Sequence, residues 1–492
     1  MIFWAKLAYF VLLNSSYQNY KFIMNKTSLP TIILLSVLTI SCNGSITDQL
    51  NDIKQDQNAP SNELTNDELI ALSCEFMGTR ISQEEATLSA QAVMQFLDAQ
   101  NATRSGSKRT IANVKPLTRQ VARTRGAETT DTLAYVFNFS DENGYAICSA
   151  DRRTSSIMAL VPQGNIDFEA DMSDDILHSG VMVFYGNLYA TYEEQIRRAD
   201  ELKDSLVEAA LAKIGTENGE TLTRASGSQD EPRIEVYYGA TVYESEVAPL
   251  IPVAWGQDNP YNRYAPLING QHAVNGCVAT ATAQFLAYWR HPNTYNWDVM
   301  MPEFGNESLL TFNTISQLMS DVGVALNTKY GLKSSSAYFE DVPNYLKSLG
   351  FHIGYYGKYD KTKVENSLMN GRPVFIAGSA LKYDVYKRYL IFWEKFSHTY
   401  YEENHAWLLD GILNVYTYYY TVLVNRVMSG GRLKHTLVHC NFGIPELAMD
   451  GYYSWDTFDL NEGPVTRAGH TEIHGQHNYY QYNLECIADV YK

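Results

Sequence analysis

Gly270-Gln271-His272-Ala273-Val274-Asn275-Gly276-Cys277-Val278-Ala279-Thr280-Ala281-Thr282-Ala283-Gln284 is the stretch on which the reading of this chain turns. Small and flexible residues lead up to Cys277. Good helix formers follow it, carrying Phe285, Leu286, Tyr288 and Trp289 until Pro292 stops the run. The pattern predicts a helix that begins at Cys277. The positive end of a helix dipole favours a thiolate, and a thiolate is a competent nucleophile toward an acyl carbon. A lone cysteine is ordinarily a buried structural one; the glycine before Cys277 and the turn into a helix favour the reactive reading.

A thiolate nucleophile needs a base, and Asn404-His405-Ala406-Trp407-Leu408-Leu409-Asp410-Gly411 offers one in His405. The apolar run after His405 predicts a strand holding the imidazole at its start, and Asp410-Gly411 reads as a turn. His272 competes as base, but it lies in a loop without rigid support. An orienting group for the imidazole is Asn441 in Cys440-Asn441-Phe442-Gly443, after the strand-like Leu437-Val438-His439. Its amide carbonyl could accept the imidazole N–H, giving a Cys-His-Asn triad. An oxyanion also needs a donor. Gln257, within Trp255-Gly256-Gln257-Asp258-Asn259-Pro260-Tyr261-Asn262, and Gln271 both qualify, and the residues alone leave the choice open.

The rest of the chain sets the context. Its 492 residues suggest two or three domains, and 45% hydrophobic against 19% charged residues describes a globular protein with real cores. A formal net charge of -17 argues against a nucleic-acid partner. The 36 tyrosines crowd into the second half, as half-buried strands and peptide clefts require, though most read as packing. Cys42, Cys74, Cys148, Cys277, Cys440 and Cys486 include no C-x-x-C pair, so a zinc ribbon or redox dithiol has no support. They are too sparse for a disulfide scaffold, with Cys440–Cys486 as the one pairing considered.

Met24 opens a second candidate start: Met24-Asn25-Lys26, the apolar run from Thr31 to Ile40, then Ser41-Cys42-Asn43. This reads as a signal peptide, too short to span a bilayer. Cys42 stands where an exported bacterial lipoprotein carries its acylated cysteine, although Leu38 lies four residues before it rather than the usual three. The expectation is export, with Cys42 as a membrane tether or the leader simply cleaved. Residues 43–65 read as a polar disordered tether. At Ser82-Gln83-Glu84-Glu85 a capping box opens a helix with Ala86, Ala90, Val93, Phe96 and Leu97 on one face. Residues 135–139 and 144–148 read as two strands joined by a turn, and 188–213 as an amphipathic helix. The polar stretch 215–235 reads as a cleavable linker between a domain at 66–214 and a larger one at 236–492.

At this point the second half resembles the streptopain family of papain-like cysteine peptidases. The resemblance rests on residues 255–262, Gly270 to Gln284, Leu318-Met319-Ser320-Asp321-Val322-Gly323, Tyr330-Gly331 with Ser334 to Ala337, Gly371-Arg372-Pro373-Val374, and His405-Ala406 with Asp410-Gly411. It implies an α+β fold, a papain-like domain of helices packed on a twisted antiparallel sheet, preceded by a small α+β pro-domain. It also implies Cys277 as nucleophile, His405 as base, Gln257 rather than Gln271 as oxyanion glutamine, and Asn441 as orienting amide. Ser336 and Asn404 would contact the substrate backbone. Residues 66–213 resemble the family's inhibitory pro-segment through the Ser82 helix and Gly144-Tyr145-Ala146-Ile147-Cys148-Ser149-Ala150-Asp151. The implied protein is a secreted zymogen acting on proteins or peptides without a cofactor, its own pro-domain serving as inhibitor.

Two departures stand out. Asn404 replaces the glycine usual before the histidine, and Asn441-Phe442-Gly443-Ile444-Pro445 lacks the family's two tryptophans. The long tyrosine-rich interval from His405 to Asn441 predicts an extended hairpin. A peptide- or inhibitor-binding relative with weakened catalysis, or an amidase or transpeptidase on the same fold, are the alternative expectations. His470, His474 and His477 could share a helix face and bind zinc, but Gly469 and Gly475 favour a polar loop with no functional metal.

Overall fold

A computed structural model describes residues 64–100, 108–122, 128–166, 181–218, 222, 234–303, 305–389, 393–423, 426–445, 449–458, 466–467 and 482–492. The leader with Cys42, nearly all of the polar tether, most of the linker and the three histidines at 470–477 lie outside the described residues. Among the described residues no helix is long and apolar enough to cross a membrane.

The N-terminal half begins with helix α1 (Asn66–Met77), which the sequence reading did not anticipate. A capping box forms it: Thr65 Oγ1 accepts the Glu68 N–H at 3.2 Å and Glu68 Oε2 accepts the Thr65 N–H at 2.8 Å. The anticipated box opens α2 (Gln83–Gln100), with Ser82 Oγ accepting the Glu85 N–H at 3.2 Å and Glu85 Oε2 the Ser82 N–H at 3.0 Å. Four antiparallel strands follow or flank: β1 (Ile111–Ala122), β2 (Glu128–Phe139), β3 (Tyr145–Ser149) and β4 (Ile157–Val161). Helix α3 (Val181–Asn218) is longer at both ends than the expected amphipathic stretch and enters what reads as the linker.

The second half starts with β5 (Ile234–Val247) and a two-residue hairpin, β6 (Leu267–Ile268) and β7 (Gln271–His272). Helix α4 (Cys277–Trp289) comes next, followed by α5 (Trp297–Met300), α6 (Leu309–Ala325) and α7 (Val342–Ser348). Strand β8 (His352–Lys358), helix α8 (Lys361–Met369) and strands β9 (Val374–Tyr389), β10 (Trp393–Leu423), β11 (Arg426–Asn441), β12 (Gly451–Ser454), β13 (Thr466–Arg467) and β14 (Tyr482–Tyr491) complete it.

The two halves share one sheet, ordered β1-β2-β3-β4-β12-β11-β10-β9-β14-β8, with β5 also on β10. Tyr452 and Tyr453 of β12 pair with Leu160 and Ala159 of β4, so the small N-terminal sheet is added to the edge of the larger one. Strand β10 is buried on both faces where it crosses the centre. Ala406 and Leu408 join Phe285 and Leu286 of α4, together with Phe375 of β9. Trp407 and Leu409 join the opposite layer with Phe442, Tyr453, Phe458 and, from α3, Phe184 and Leu188. Burial on both faces explains the unbroken apolar run after His405. Beyond the centre, the expected tyrosine-rich hairpin exists: β10 and β11 stay paired out to Leu423↔Arg426. The outer part is covered by α1 and α3, where Leu69, Leu72, Val207 and Leu211 pack on Tyr419 and Leu433.

Two sequence expectations are corrected. His405 lies in the middle of β10, not at a strand start, because β10 continues back to Trp393 along β9. Asp410-Gly411 is not a turn but a register shift inside β10. Asp410 is buried there, its Oδ2 accepting the Ile251 N–H at 2.9 Å and its Oδ1 lying 2.6 Å from His439 Nδ1. Those fixed partners keep the chain extended where the dipeptide alone would bend. Cys440 and Cys486 are free buried thiols rather than a disulfide.

His435 on β11 lines a cleft shared with Asn66, Thr191, Gln195 and Asp456, where α1 and α3 meet the larger sheet. Its Nε2 is sealed from solvent, with no hydrogen-bond partner among the described residues. Burial pushes its pKa down to about 4, with the Asp456 carboxylate opposing. A base whose folded pKa is depressed stabilises the assembled state above its ordinary value and loses that contribution as pH falls. Between pH 6.5 and about 4, acid should therefore destabilise the native chain more steeply than it does a His435→Leu variant. Urea unfolding midpoints across this range check the expectation; parallel curves for the two proteins would contradict it.

Candidate active site

Cys277 is the first residue of α4, as its sequence context predicts. The preceding Gly276 has φ 86° and ψ 149°, a conformation essentially reserved for glycine. A Cβ at this position would lie 2.7 Å from the Ser335 carbonyl oxygen, so glycine is required by space as well as by φ. The loop leading to Cys277 is held on several sides. The Asn275 N–H donates to the Gln257 carbonyl at 2.9 Å, and Asn275 Nδ2 to the Tyr261 carbonyl at 3.1 Å. The Val274 N–H donates to the Gly331 carbonyl at 3.1 Å, and Ser335 Oγ to the Val274 carbonyl at 2.6 Å.

Cys277 is partly exposed and packs against the cluster that holds Phe375 and Ala406 of the sheet. Burial in the packed junction of α4 and β10 pushes its pKa above the ordinary thiol value, while the main-chain N–H groups of Ala406, Val278 and Cys277 pull it down. Desolvation wins. The helix start alone does not deliver the thiolate that the dipole argument suggests, and a cation beside the sulfur would be needed.

His405 is buried one residue before Ala406, whose N–H meets the thiol, so helix start and strand converge. Its imidazole stacks on Trp407 with ring centroids 6.1 Å apart and planes 22° apart. Trp407 in turn packs on Phe442 at 5.9 Å and Phe458 at 6.0 Å. Trp407 on β10, backed by Phe442, thus gives the His405 ring apolar cover.

Asn441 ends β11, opposite Leu408. Its Oδ1 accepts from Gln284 Nε2 at 3.0 Å and from the Gly443 N–H at 3.2 Å, while Nδ2 donates to the Val253 carbonyl at 3.0 Å. Gln257 is half-buried in the segment bonded to the Cys277 loop. Gln271 and His272, the rival donor and base, lie exposed on the β6–β7 hairpin. The Nδ1 of His272 engages the Ala265 carbonyl at 2.9 Å. Ser336 is exposed beside Ser335, bridged to Lys329 through main-chain bonds of 3.0 and 2.8 Å. Asn404 sits on β10 opposite Ser379.

The sequence reading passed over Gln284, Ser335 and a buried acid–base cluster behind Asn441. In that cluster His439 would be lowered by burial, but Asp410 and Asp450 hold it above its ordinary value. Burial raises Asp450 to about 6, against the Phe442 N–H, which donates to its Oδ1 at 2.8 Å, and against His439. An acidic residue at the bulge and a histidine at i−2 from Asn441 were the only signals.

The tightness at Gly276 gives a direct expectation. Gly276→Ala should cost about 2–4 kcal/mol through backbone strain and overlap with the Ser335 carbonyl. Urea unfolding of the full chain measures this; a loss below about 0.5 kcal/mol, the range of ordinary surface changes, would contradict the packing described.

Comparisons with known proteins find matches in both halves of the chain. Residues 255–453 match the model of the peptidase C10 family, and residues 78–178 match that of the Spi protease inhibitor. Streptopain of Streptococcus pyogenes serotype M1 is 26% identical over 303 residues, 51% of this chain and 66% of that protein. The chain thus spans just under two thirds of that relative's length. The thiol protease/hemagglutinin PrtT of Porphyromonas gingivalis is 24% identical over 302 residues, 52% of this chain and 30% of that protein. Among solved structures, a prointerpain A fragment of Prevotella intermedia aligns with a TM-score of 0.41 at 19% identity, covering 77% of this chain and 99% of the fragment. The chain thus carries a segment, residues 255–453, that matches the peptidase C10, or streptopain, family, behind a segment, residues 78–178, that matches the Spi protease inhibitor.

Proposed function

We propose that the chain is the zymogen of a cysteine endopeptidase that hydrolyses peptide bonds through a thioester on Cys277. The observation that carries this reading is the packing of Cys277, at the start of α4, in one cluster with Ala406, the residue after His405 on β10. His405 takes the thiol proton, and the thiolate attacks the scissile carbonyl carbon. The oxyanion accepts from the Gln257 side chain and the Cys277 N–H. Imidazolium then protonates the departing amine, and a water activated by His405 releases the acid and restores the thiol. Asn441 orients His405, and substrate main chain runs past Ser336 and Asn404. No cofactor enters these steps.

The precursor state fits latency. The His405 ring rests on Trp407, which lies in the same apolar cluster as Phe184 and Leu188 of α3, and burial raises the Cys277 thiol above its ordinary value. In this proposal the segment at 66–214 is an intramolecular inhibitor, and cutting within 215–235 lowers its effective concentration at the site from roughly millimolar. The basic start, apolar run and Ser41-Cys42 support export, with Cys42 as a candidate lipid anchor. One observation favours a weakened, peptide-binding relative instead: the Asn441 carbonyl already accepts two hydrogen bonds from other groups.

Turnover of a fluorogenic peptide by linker-cut protein separates the readings. Cys277→Ala should lower it on the order of 10⁴-fold or more. Gln257→Ala should lower kcat roughly 10²- to 10³-fold with little change in KM, and Gln271→Ala far less. No turnover by the unsubstituted, linker-cut enzyme would leave the binding-relative reading standing. Activity retained in Cys277→Ala would remove the nucleophile assignment.

A further inference from the structure

We infer that Gln284 is a positioning residue, an amide clamp that holds the Gln257 segment and Asn441 in register with the Cys277 helix. The inference rests on the peptidase reading above.

Gln284 lies seven residues after Cys277 on α4, two turns along and on nearly the same face. Its side chain is fully buried. The two ends of its amide reach different parts of the chain. Oε1 accepts the Trp255 N–H at 3.1 Å, two residues before Gln257. Nε2 donates to Asn441 Oδ1 at 3.0 Å. Asn441 then closes the circuit by donating from Nδ2 to the Val253 carbonyl at 3.0 Å. Helix, oxyanion-side segment and the end of β11 are joined through two side chains. Each amide has a defined orientation, since turning either one over would set donor against donor or acceptor against acceptor.

The surroundings are shaped for this circuit. Gly443, at φ 70°, donates its own N–H to Asn441 Oδ1 at 3.2 Å. A Cβ on Gly443 would stand 3.4 Å from Gln284 Nε2 and 3.1 Å from Thr280 Cγ2. Glycine after Phe442 thus lets the β11 end approach α4 closely enough for the clamp to form.

The residue type follows from the task. One end must accept from a main-chain N–H and the other must donate to a carbonyl oxygen, in a fully buried site. Leucine fills the volume and makes neither bond, leaving the Trp255 N–H unsatisfied. An ionised glutamate accepts but cannot donate to Asn441. A protonated glutamate does both, accepting with C=O and donating with O–H. Burial raises a carboxyl pKa, so a glutamate at this position should work at acid pH and fail as it ionises. That sign distinguishes a two-ended clamp from mere volume filling.

The test compares wild type, Gln284→Leu and Gln284→Glu, each produced as the full chain and then cut at the linker by an added protease. Expected for Gln284→Leu is a loss of about 10²-fold in kcat with KM little changed, the scale of small misplacements of reacting groups. Expected for Gln284→Glu is a kcat ratio to wild type that approaches unity at acid pH and falls as pH rises. In parallel, amide exchange in the uncut full chain should show the Trp255 N–H protected in wild type and released in Gln284→Leu, with Leu286 and Phe285 still protected. Unchanged kcat in a folded Gln284→Leu, or a Gln284→Glu profile parallel to wild type, would overturn the inference. If Gln284→Leu does not fold, the pH profile of Gln284→Glu decides alone. If wild type itself shows no turnover, the function reading fails, and unchanged Trp255 protection in Gln284→Leu would separately remove the clamp.

Discussion

Main-chain hydrogen bonding along β10 is the constraint on which the rest of the molecule depends. This strand pairs with β9 over its first half and with β11 and β5 over its second, and it carries His405 where α4 brings Cys277. An imidazole on a central strand, buried on both faces, cannot drift with a loop. Its position is set by the register His405↔Gly378 and by the packing of Ala406 and Leu408 against α4. The same strand runs on into the tyrosine-rich hairpin that seats α1 and α3. One set of ladder bonds therefore supports the proposed site and the surface that receives the inhibitor-type segment.

The join between the halves is also a main-chain device. A four-residue edge, β12, takes β4 as its neighbour, and the apolar cluster beneath it runs from Phe184 through Tyr453 and Phe442 to Trp407, the residue that stacks on His405. Edge strands attract partners because their N–H and C=O groups lie open. Filling that edge with the chain's own strand protects it and places the inhibitor-type segment within the same core as the proposed base. Desolvation at the junction of α4 and β10 holds the Cys277 thiol above its ordinary value in this state.

Local features of this architecture could be read from the sequence, and long-range ones could not. Gly276 before Cys277, the Ser82–Glu85 capping box and the two strands around residues 140–143 are signals contained within a few residues, and the structure carries each of them. Thr65 with Glu68 was an equally local signal, masked by the polar stretch in front of it. The β4–β12 pairing leaves no local trace, because an edge strand looks the same whichever edge it joins. Asp410-Gly411 misleads because its bulge depends on Ile251 and His439, distant in sequence. Gln284 looks like any helix former until Trp255 and Asn441 are seen at its two ends. Of the candidate site, the helix start at Cys277 could be read locally, and Gln257 was preferred to Gln271 only through the family resemblance; the bonds that hold these segments left no local trace.

The central claim is that Cys277 and His405 act as one unit once the N-terminal segment is released. The most direct measurement is the pH dependence of Cys277 alkylation by iodoacetamide in linker-cut protein, with and without His405→Ala. The account predicts a reactive plateau extending well below the ordinary thiol range, carried by a thiolate–imidazolium pair and abolished by His405→Ala. A single rise at or above the ordinary thiol value, identical in both proteins, would contradict it.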